Sequence, residues 1–270
     1  MTMKLQYPSL ELSPDEFGRI SATMQAVAGI RLPPGKETLV KSRLSKRLRA
    51  LGLPDFDAYL RRVEEDGGGE LRHMVDALTT NKTSFFREPA HFDHLTGEAL
   101  PALGGAAPLR IWSAGCSTGE EPYTLAMVLR EHDPKRDDAR ILGTDISTRA
   151  LALARQGEYA EPVLAGVPAP LRDRYFEVAG PGRFRAGGGL RSLVSFGRLN
   201  LMSEWPMRGP FDVIFCRNVM IYFDRDVRER LVARFHGLLR EGGYLYVGHS
   251  ESLTGLDHMF RYVRPAVYRR

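Results

Sequence analysis

Cysteine is nearly absent: the 270 residues hold two, Cys116 and Cys216. Two thiols cannot build a disulfide scaffold, so the chain suits a reducing compartment, the cytoplasm. The histidines show no pairing of metal-ligand type, which argues against a zinc site, and no metal is expected. Long apolar runs are missing too; none approaches the roughly 20 residues of a membrane span, so membrane insertion is not expected. The first residues, Met-Thr-Met-Lys-Leu-Gln-Tyr-Pro, contain no signal-peptide core. There is no internal repeat and no low-complexity tract. What remains is the composition of a globular protein, 43% apolar and 26% charged, long enough for one large domain or two modest ones. A net charge of +5 fits an acidic protein surface or nucleic acid without choosing between them.

Two nucleotide-binding signatures are lacking as well, and their absence is informative. Residues 109–112 read as a short buried strand, and a helix with Leu125, Val128 and Leu129 at helical spacing follows. Between them lies a turn of small residues, Gly115-Cys116-Ser117-Thr118-Gly119. This strand, turn and helix is the opening unit of a doubly wound α/β fold, in which a ligand approaches the turn backbone. The turn is neither G-x-G-x-x-G nor a P-loop, and Glu120 and Glu121 come next. Two carboxylates would repel a pyrophosphate. They suit a cation, such as the ammonium or sulfonium of S-adenosylmethionine, or they are ordinary first-turn acids complementing the helix dipole.

Ahead of this unit the pattern is helical. Residues 1–10 read as a loose lead-in. Ser13-Pro14-Asp15-Glu16 spells a capping box with proline at the first helical position, and the helix should end near Ala28, before Gly29. A second helix, 36–51, places Val40, Leu44, Leu48 and Leu51 on one stripe, with Arg43, Lys46 and Arg47 together on an adjoining basic side and Lys41 and Arg49 nearby. That side is either a solvated face or a docking surface for an acidic helical partner or phosphates. Helices at 54–65 and 71–78 complete an all-α domain, residues 10–78. Residues 79–90 form a linker, but a plain linker would be rich in Gly, Ser or Pro. Thr79-Thr80-Asn81-Lys82-Thr83-Ser84-Phe85-Phe86-Arg87-Glu88 is polar, then doubly aromatic, then charged, and looks like part of a site. A helix over residues 89–100 and a loop at 104–108 lead to the core strand.

After the first unit a second strand, 140–144, ends in Asp145, close to the spacing from a glycine turn at which an acid holds ribose hydroxyls. Asp145 could equally cap the helix that starts at Ser147. Prolines and Gly187-Gly188-Gly189 break the rhythm over about 157–196. This stretch reads as a small β insertion with strands at 175–178, 183–185 and 190–196, where prolines interrupt any helix. Its Arg183, Arg185 and Arg191 are a solvated hairpin face or a grip for a peptide by strand addition. A third core strand ends in Asn200-Leu201. A fourth, 211–216, is apolar enough to be buried on both faces and delivers Arg217-Asn218-Val219-Met220-Ile221-Tyr222-Phe223 to the ligand-binding edge of the sheet. A helix at 226–239, a fifth strand at 244–247 and one closing strand at 260–268 complete residues 91–270.

The motifs together resemble the CheR-type chemotaxis receptor methyltransferases. The matching stretches are residues 47–53, 80–88, 112–123, 143–147, 211–223 and 248–252, in order across nearly the whole chain. The resemblance implies a Rossmann-like S-adenosylmethionine methyltransferase domain with a small antiparallel β subdomain, preceded by an all-α domain. It implies methyl transfer from S-adenosylmethionine to glutamates on the cytoplasmic helical region of methyl-accepting chemoreceptors, leaving S-adenosylhomocysteine. It further implies that Asn81, Thr83, Arg87, Gly115, Glu120 (or Glu121), Asp145, Asn200, Leu201, Arg217 and Asn218 hold the cofactor. Arg87 and Tyr222 would steer and orient the incoming carboxylate. The second helix would be the receptor-docking face, and the β subdomain, near residues 187–191, could take a receptor C-terminal peptide. A monomer is expected. Two rivals are a nucleic-acid methyltransferase and a cofactor-binding module without catalysis. The first lacks Asn/Asp-Pro-Pro-Tyr/Phe after the fourth strand, and Cys216 lacks the proline that precedes a pyrimidine-attacking cysteine. The second is disfavoured by the intact Glu120, Asp145 and Asn218.

Overall fold

The computed structural model describes residues 10–104, 108–134 and 137–270, so the lead-in before Leu10 and part of the 104–108 loop lie outside the described residues. The chain divides into two compact units, Met1–Thr80 and Asn81–Arg270.

The first unit holds four helices: α1 (Pro14–Ala28), α2 (Glu37–Leu51), α3 (Phe56–Glu65) and α4 (Gly69–Leu78). The capping box forms as the sequence dictates. Glu16 N donates to Ser13 Oγ at 3.2 Å, and Ser13 N donates to Glu16 Oε2 at 2.7 Å. Gly29 and Gly52 end α1 and α2 in the left-handed conformation, at φ 69° and 67°. Val40, Leu44 and Leu48 are fully buried, with Met24, Phe56 and Tyr59 among their companions in the core. Leu51, at the end of the stripe, is half-buried.

The second unit opens with α5 (Ala90–His94), a π-wound turn (Leu95–Ala99) and α6 (Leu100–Leu103). The sequence predicts one α-helix here. Pro101 supplies no N–H to the ladder, and the wide turn just before it takes up the mismatch, with Leu100 N donating to Leu95 O. Then come β1 (Arg110–Ala114), α7 (Glu120–His132), β2 (Arg140–Asp145) and α8 (Thr148–Gln156). The insertion follows as β3 (Glu158–Ala160), a 3₁₀ turn, α9 (Ala169–Tyr175), β4 (Phe176–Gly180), β5 (Arg183–Ala186) and α10 (Gly188–Arg191). Alternation resumes with β6 (Val194–Arg198), β7 (Phe211–Cys216), α11 (Arg225–Leu238), β8 (Leu239–Val247), β9 (Arg261–Arg264) and β10 (Val267–Arg269).

Seven strands form one sheet in the order β6-β2-β1-β7-β8-β10-β9. The first five are mutually parallel; β10 is antiparallel to β8, and β9 to β10. This is the expected doubly wound fold. Along β7, Val213 and Phe215 enter one core, while Phe211, Ile214 and Cys216 enter the other, so both faces are covered. The chain runs outward from β1 through β2 to β6, then crosses back to β7. The topological switch therefore lies between β1 and β7, where such sheets bind ligands. No helix among the described residues is long and apolar enough to cross a membrane.

Three sequence expectations need correction. The small sheet is β3-β5-β4, so its third strand is Glu158–Ala160 and not residues 190–196. Those residues split into α10 and the edge strand β6, which ends at Arg198, before Asn200. Alternating Val and Phe read the same in a hairpin as at a sheet edge, and only pairing with β2 decides. Second, the prolines do not exclude a helix from the insertion: α9 carries Pro170 in its first turn, where proline's missing N–H costs nothing. Third, residues 260–268 form a hairpin, because Ala266 adopts φ 63° and turns the chain.

Candidate active site

The small-residue turn after β1 is held by β2. Gly115 N and Cys116 N both donate to Thr144 O, at 2.8 and 2.9 Å. Asp145 then braces two loops at once. Its Oδ2 accepts from Ser117 N and its Oδ1 from Ser147 N, each at 2.8 Å. Ser147, not Asp145, is the N-cap of α8, accepting from Ala150 N. Gly115, Ser117 and Gly119 all take positive φ, at 87°, 51° and 98°. A Cβ at Gly119 would sit 2.9 Å from Tyr159 Oη and 3.0 Å from Ala154 Cβ. Gly119→Ala combines that overlap with a strained φ. It should lower the unfolding free energy by about 2–4 kcal/mol in thermal denaturation, while Gly197→Ala, in open space, should be near neutral.

The two acids that follow have opposite surroundings. Glu121 is saturated: Ser113 Oγ donates to Oε1 at 2.6 Å and Arg217 Nε to Oε2 at 2.7 Å. Glu120 is 4% exposed and accepts from Thr118 Oγ1 at 2.6 Å and from its own backbone N–H. Burial pushes its carboxyl above the usual range. Among the described residues no basic side chain pairs with it. A desolvated carboxylate at the mouth of a glycine turn, with no cation beside it, is a site complementary to a cationic ligand.

Arg217, delivered by the end of β7, ties the segment 81–91 to the sheet. Beyond Glu121 it donates from Nη1 to Arg87 O at 2.6 Å, lies 3.1 Å from His91 Nδ1, and is 3.6 Å from Glu88 Oε2. Its guanidinium also lies over Phe92 and Phe215, 5.4 and 5.8 Å from the ring centroids. Burial, reinforced by the Arg217 charge, holds His91 down to about 3, so the imidazole is neutral and accepts through Nδ1. The histidines were expected to lack any grouping of metal type. In fact Glu88, His91 and His249 bring one ligand atom each within 4.8 Å. The Arg217 cation already occupies that neighbourhood, and a metal ion there would face its charge.

Asn218 adopts φ 59°, as Glu88 does at 58° and Phe86 at 52°, a run of left-handed non-glycine residues around one site. Glu251 makes the Asn218 conformation tenable. It accepts from Asn218 N at 2.7 Å, Ile221 N at 3.1 Å and Gly248 N at 2.6 Å, and so fixes the turn that presents Tyr222. Sequence reasoning gave neither Glu251 nor Glu88 a role. The available signal for Glu251 was an acid four residues beyond a buried strand.

The structure places the remaining predicted residues as follows. Asn81, Thr83 and Arg87 are half-buried. Asn81 O accepts from Ser117 Oγ at 3.0 Å, and Arg87 Nη1 donates to Lys82 O at 3.0 Å. Asn200 and Leu201 follow β6, whose continuation is pinned to Asp145 by Leu199 N donating to Asp145 O at 3.0 Å. Tyr222 closes a 3₁₀ turn after β7 and is half-buried. Cys216 is fully buried and burial pushes its thiol well up, which removes it as a nucleophile. In the helical unit the five basic residues of α2 divide, and Lys41 donates to Glu11 Oε2 at 2.8 Å. Arg47 forms a bidentate pair with Glu70, at 2.8 and 2.6 Å, and Glu70 is 3% exposed. Arg43 caps the C-terminal carbonyls of α4, donating to Leu78 O at 2.9 Å and Thr79 O at 3.0 Å. Lys46 and Arg49 are exposed.

Family models match the chain twice: "CheR methyltransferase, all-alpha domain" over residues 15–79, and "CheR methyltransferase, SAM binding domain" over residues 81–268. Similar proteins include "Chemotaxis protein methyltransferase 2" of Pseudomonas aeruginosa, 43% identical over 94% of this chain and 92% of that one. A "Chemotaxis protein methyltransferase" of Escherichia coli is 41% identical over 96% and 92% of the two chains. One of Borreliella burgdorferi is 39% identical over 97% and 96%.

Proposed function

The chain belongs to the CheR methyltransferase family, with S-adenosylmethionine as its cofactor, and from that premise we propose that it methylates glutamate side chains of chemoreceptors. The products are glutamate 5-O-methyl esters and S-adenosylhomocysteine. The carrying observation is Glu120, a buried carboxylate with one hydroxyl partner and no cation, beside a turn of small residues.

S-adenosylmethionine, when bound, supplies a methyl group made electrophilic by its sulfonium. The chain's residues bind and align. Glu120 receives the ammonium of the methionine end, since the charge of Glu121 is already matched by Arg217 and its other oxygen accepts from Ser113. Gly115 and Gly119 let the ligand reach the backbone. Asp145 holds the ribose while bracing the two loops it already joins, and Asn200 and Leu201 flank the adenine. Asn81, Thr83 and Asn218 line the pocket. Arg217 acts behind the first layer, fixing Glu121 and the Arg87 carbonyl. The incoming glutamate is ionised at pH 7, with an ordinary pKa of about 4.3, so no general base is required and no proton moves. Arg87 steers the carboxylate and Tyr222 orients it for in-line displacement. The exposed Lys46 and Arg49 of α2 meet the acidic receptor helices in the cytoplasm. The edge strand β4, with Val178 exposed, takes a receptor C-terminal peptide by strand addition.

Incubation with tritiated S-adenosylmethionine and receptor cytoplasmic fragments tests this. Label released by mild base as methanol, and lost when receptor glutamates are changed to alanine, is expected. Base-stable label, or label in nucleic acid, would refute it. A pH dependence follows as well. Because burial raises the Glu120 carboxyl, its protonation begins above the range of an exposed glutamate, and each proton removes the acceptor for the ammonium. Donor affinity should therefore fall on acidification, at a higher pH than an exposed glutamate would give, approaching about tenfold per unit once below the raised value. His91, at about 3, adds nothing over this range. The Glu120→Gln variant should show a flat profile in the same titration, and a flat wild-type profile would contradict the assignment.

A further inference from the structure

A second concave site lies on the catalytic unit and shares no residue with the one above. It is a cleft of about 480 Å³ lined by Tyr123, Arg155, Gly188, Arg191, Ser192, Val194 and Phe196. Its walls come from α7, α8, α10 and the sheet's edge strand β6. The lining carries two guanidinium groups and no carboxylate. Residues 146–157, which include α8, and 178–203, which include α10 and β6, contain six arginines and not one Asp or Glu, although Glu158 and Glu177 adjoin them and the α7 wall carries Glu120, Glu121 and Glu131. Two of the six, Arg183 and Arg185, are spent on Glu158. Arg155 and Arg191 instead converge on the cleft. Arg155 Nη2 donates to Phe196 O at 3.1 Å, and Arg191 bonds the Tyr123 hydroxyl, which itself donates to Ala154 O at 3.1 Å.

The geometry discriminates between occupants. An acidic peptide could in principle add to β6 as a new strand. Leu193 O and Leu199 N are bonded toward β2, by Ile141 N and Asp145 O, so the even-numbered residues point their backbone groups outward. Phe196 O is one of those outward groups, and Arg155 already covers it, which blunts the edge. What the cleft offers is two forked cations beside the half-buried ring of Phe196, in a volume suited to a small molecule. Guanidinium groups match phosphate oxygens in fork geometry, and an aromatic ring accepts a flat base. We infer that the cleft formed by Arg155, Arg191 and Phe196 binds a nucleoside phosphate, with its phosphates between the two arginines and its base against Phe196.

Calorimetry with uridine diphosphate tests this, because a pyrimidine avoids confusion with an adenine subsite. One site is expected, weakened at least about tenfold in the Arg155→Ala/Arg191→Ala double variant and in Arg191→Gln alone. Inorganic pyrophosphate should bind with the same arginine dependence, and uridine at least about tenfold more weakly than its diphosphate. Affinity for S-adenosylhomocysteine should be unchanged in all variants, which also reports that they fold. The inference is overturned if neither uridine diphosphate nor pyrophosphate gives heat at about 1 mM, or if the arginine variants bind as well as wild type. Displacement of uridine diphosphate by S-adenosylhomocysteine, or binding of an oligoglutamate peptide in its place, would overturn it equally.

Discussion

Arg217→Ala and Glu121→Ala are each expected to lower the unfolding free energy by about 3–5 kcal/mol, whereas Glu120→Gln should leave it unchanged or raised. The three residues lie at one site, but only two of them hold it together. The Arg217 side chain is 3% exposed and joins Glu121, Glu88, the Arg87 carbonyl and His91. Removing it leaves the buried Glu121 carboxylate with only the Ser113 hydroxyl and takes away one of the ties that hold the segment 81–91 to the sheet. Removing Glu121 leaves a buried guanidinium facing a neutral imidazole and a carboxylate at 3.6 Å. Burying a charge without its partner is the costly half of ion-pair energetics, and the cost of one lost partner dominates here. Glu120 is the reverse case. It is buried with no cation beside it, met only by the Thr118 hydroxyl and its own backbone N–H, so a neutral amide that keeps the Thr118 bond relieves the folded protein. Urea denaturation of the three variants checks the order. A Glu120→Gln variant less stable than Glu121→Ala would contradict it.

Arg87→Ala should abolish methyl transfer, with kcat/KM for receptor down at least about 100-fold, and Arg87→Lys should not restore it. Its backbone carbonyl is pinned by Arg217, and its guanidinium is tethered to Lys82 O at 3.0 Å, so the side chain is presented from a fixed point. A receptor carboxylate must reach a reactive distance along one line, and an error near 1 Å costs about 100-fold. Tyr222→Phe should lower kcat while leaving donor affinity within about twofold, because the hydroxyl is assigned to the acceptor side. Steady-state kinetics with receptor fragments and tritiated donor separate the two effects. Near-normal turnover in Arg87→Ala would end the proposal for that residue.

Much of the fold was legible because local chemistry and tertiary structure agree. The capping box at Ser13, the terminating Gly29 and Gly52, and the apolar run of β7 each have one physical solution. The insertion was harder. Only Val194-Ser195-Phe196 alternates within residues 190–196, and nothing local distinguishes a third hairpin strand from an edge partner of β2. The turn at Ala266 was hidden because no glycine marks its positive φ. At the site, spacing could bring Glu120 and Glu121 to the glycine turn but could not rank them. Their difference depends on Arg217, about a hundred residues away, and on which carboxylate it reaches. The basic side of α2 is another case: Arg47 and Arg43 have partners on α4, which charge patterning alone does not show.

Calorimetric titration of S-adenosylhomocysteine into the wild-type chain and into Glu120→Gln, at pH 7.5, weighs the central claim with the fewest intermediaries. One site per chain is predicted, with affinity lower by about 10–100-fold in the variant at undiminished thermal stability, the loss of one charge-assisted bond to an ammonium. No heat in the wild type, or equal affinity in the two chains, would show that the buried acid after the glycine turn does not hold the methyl donor.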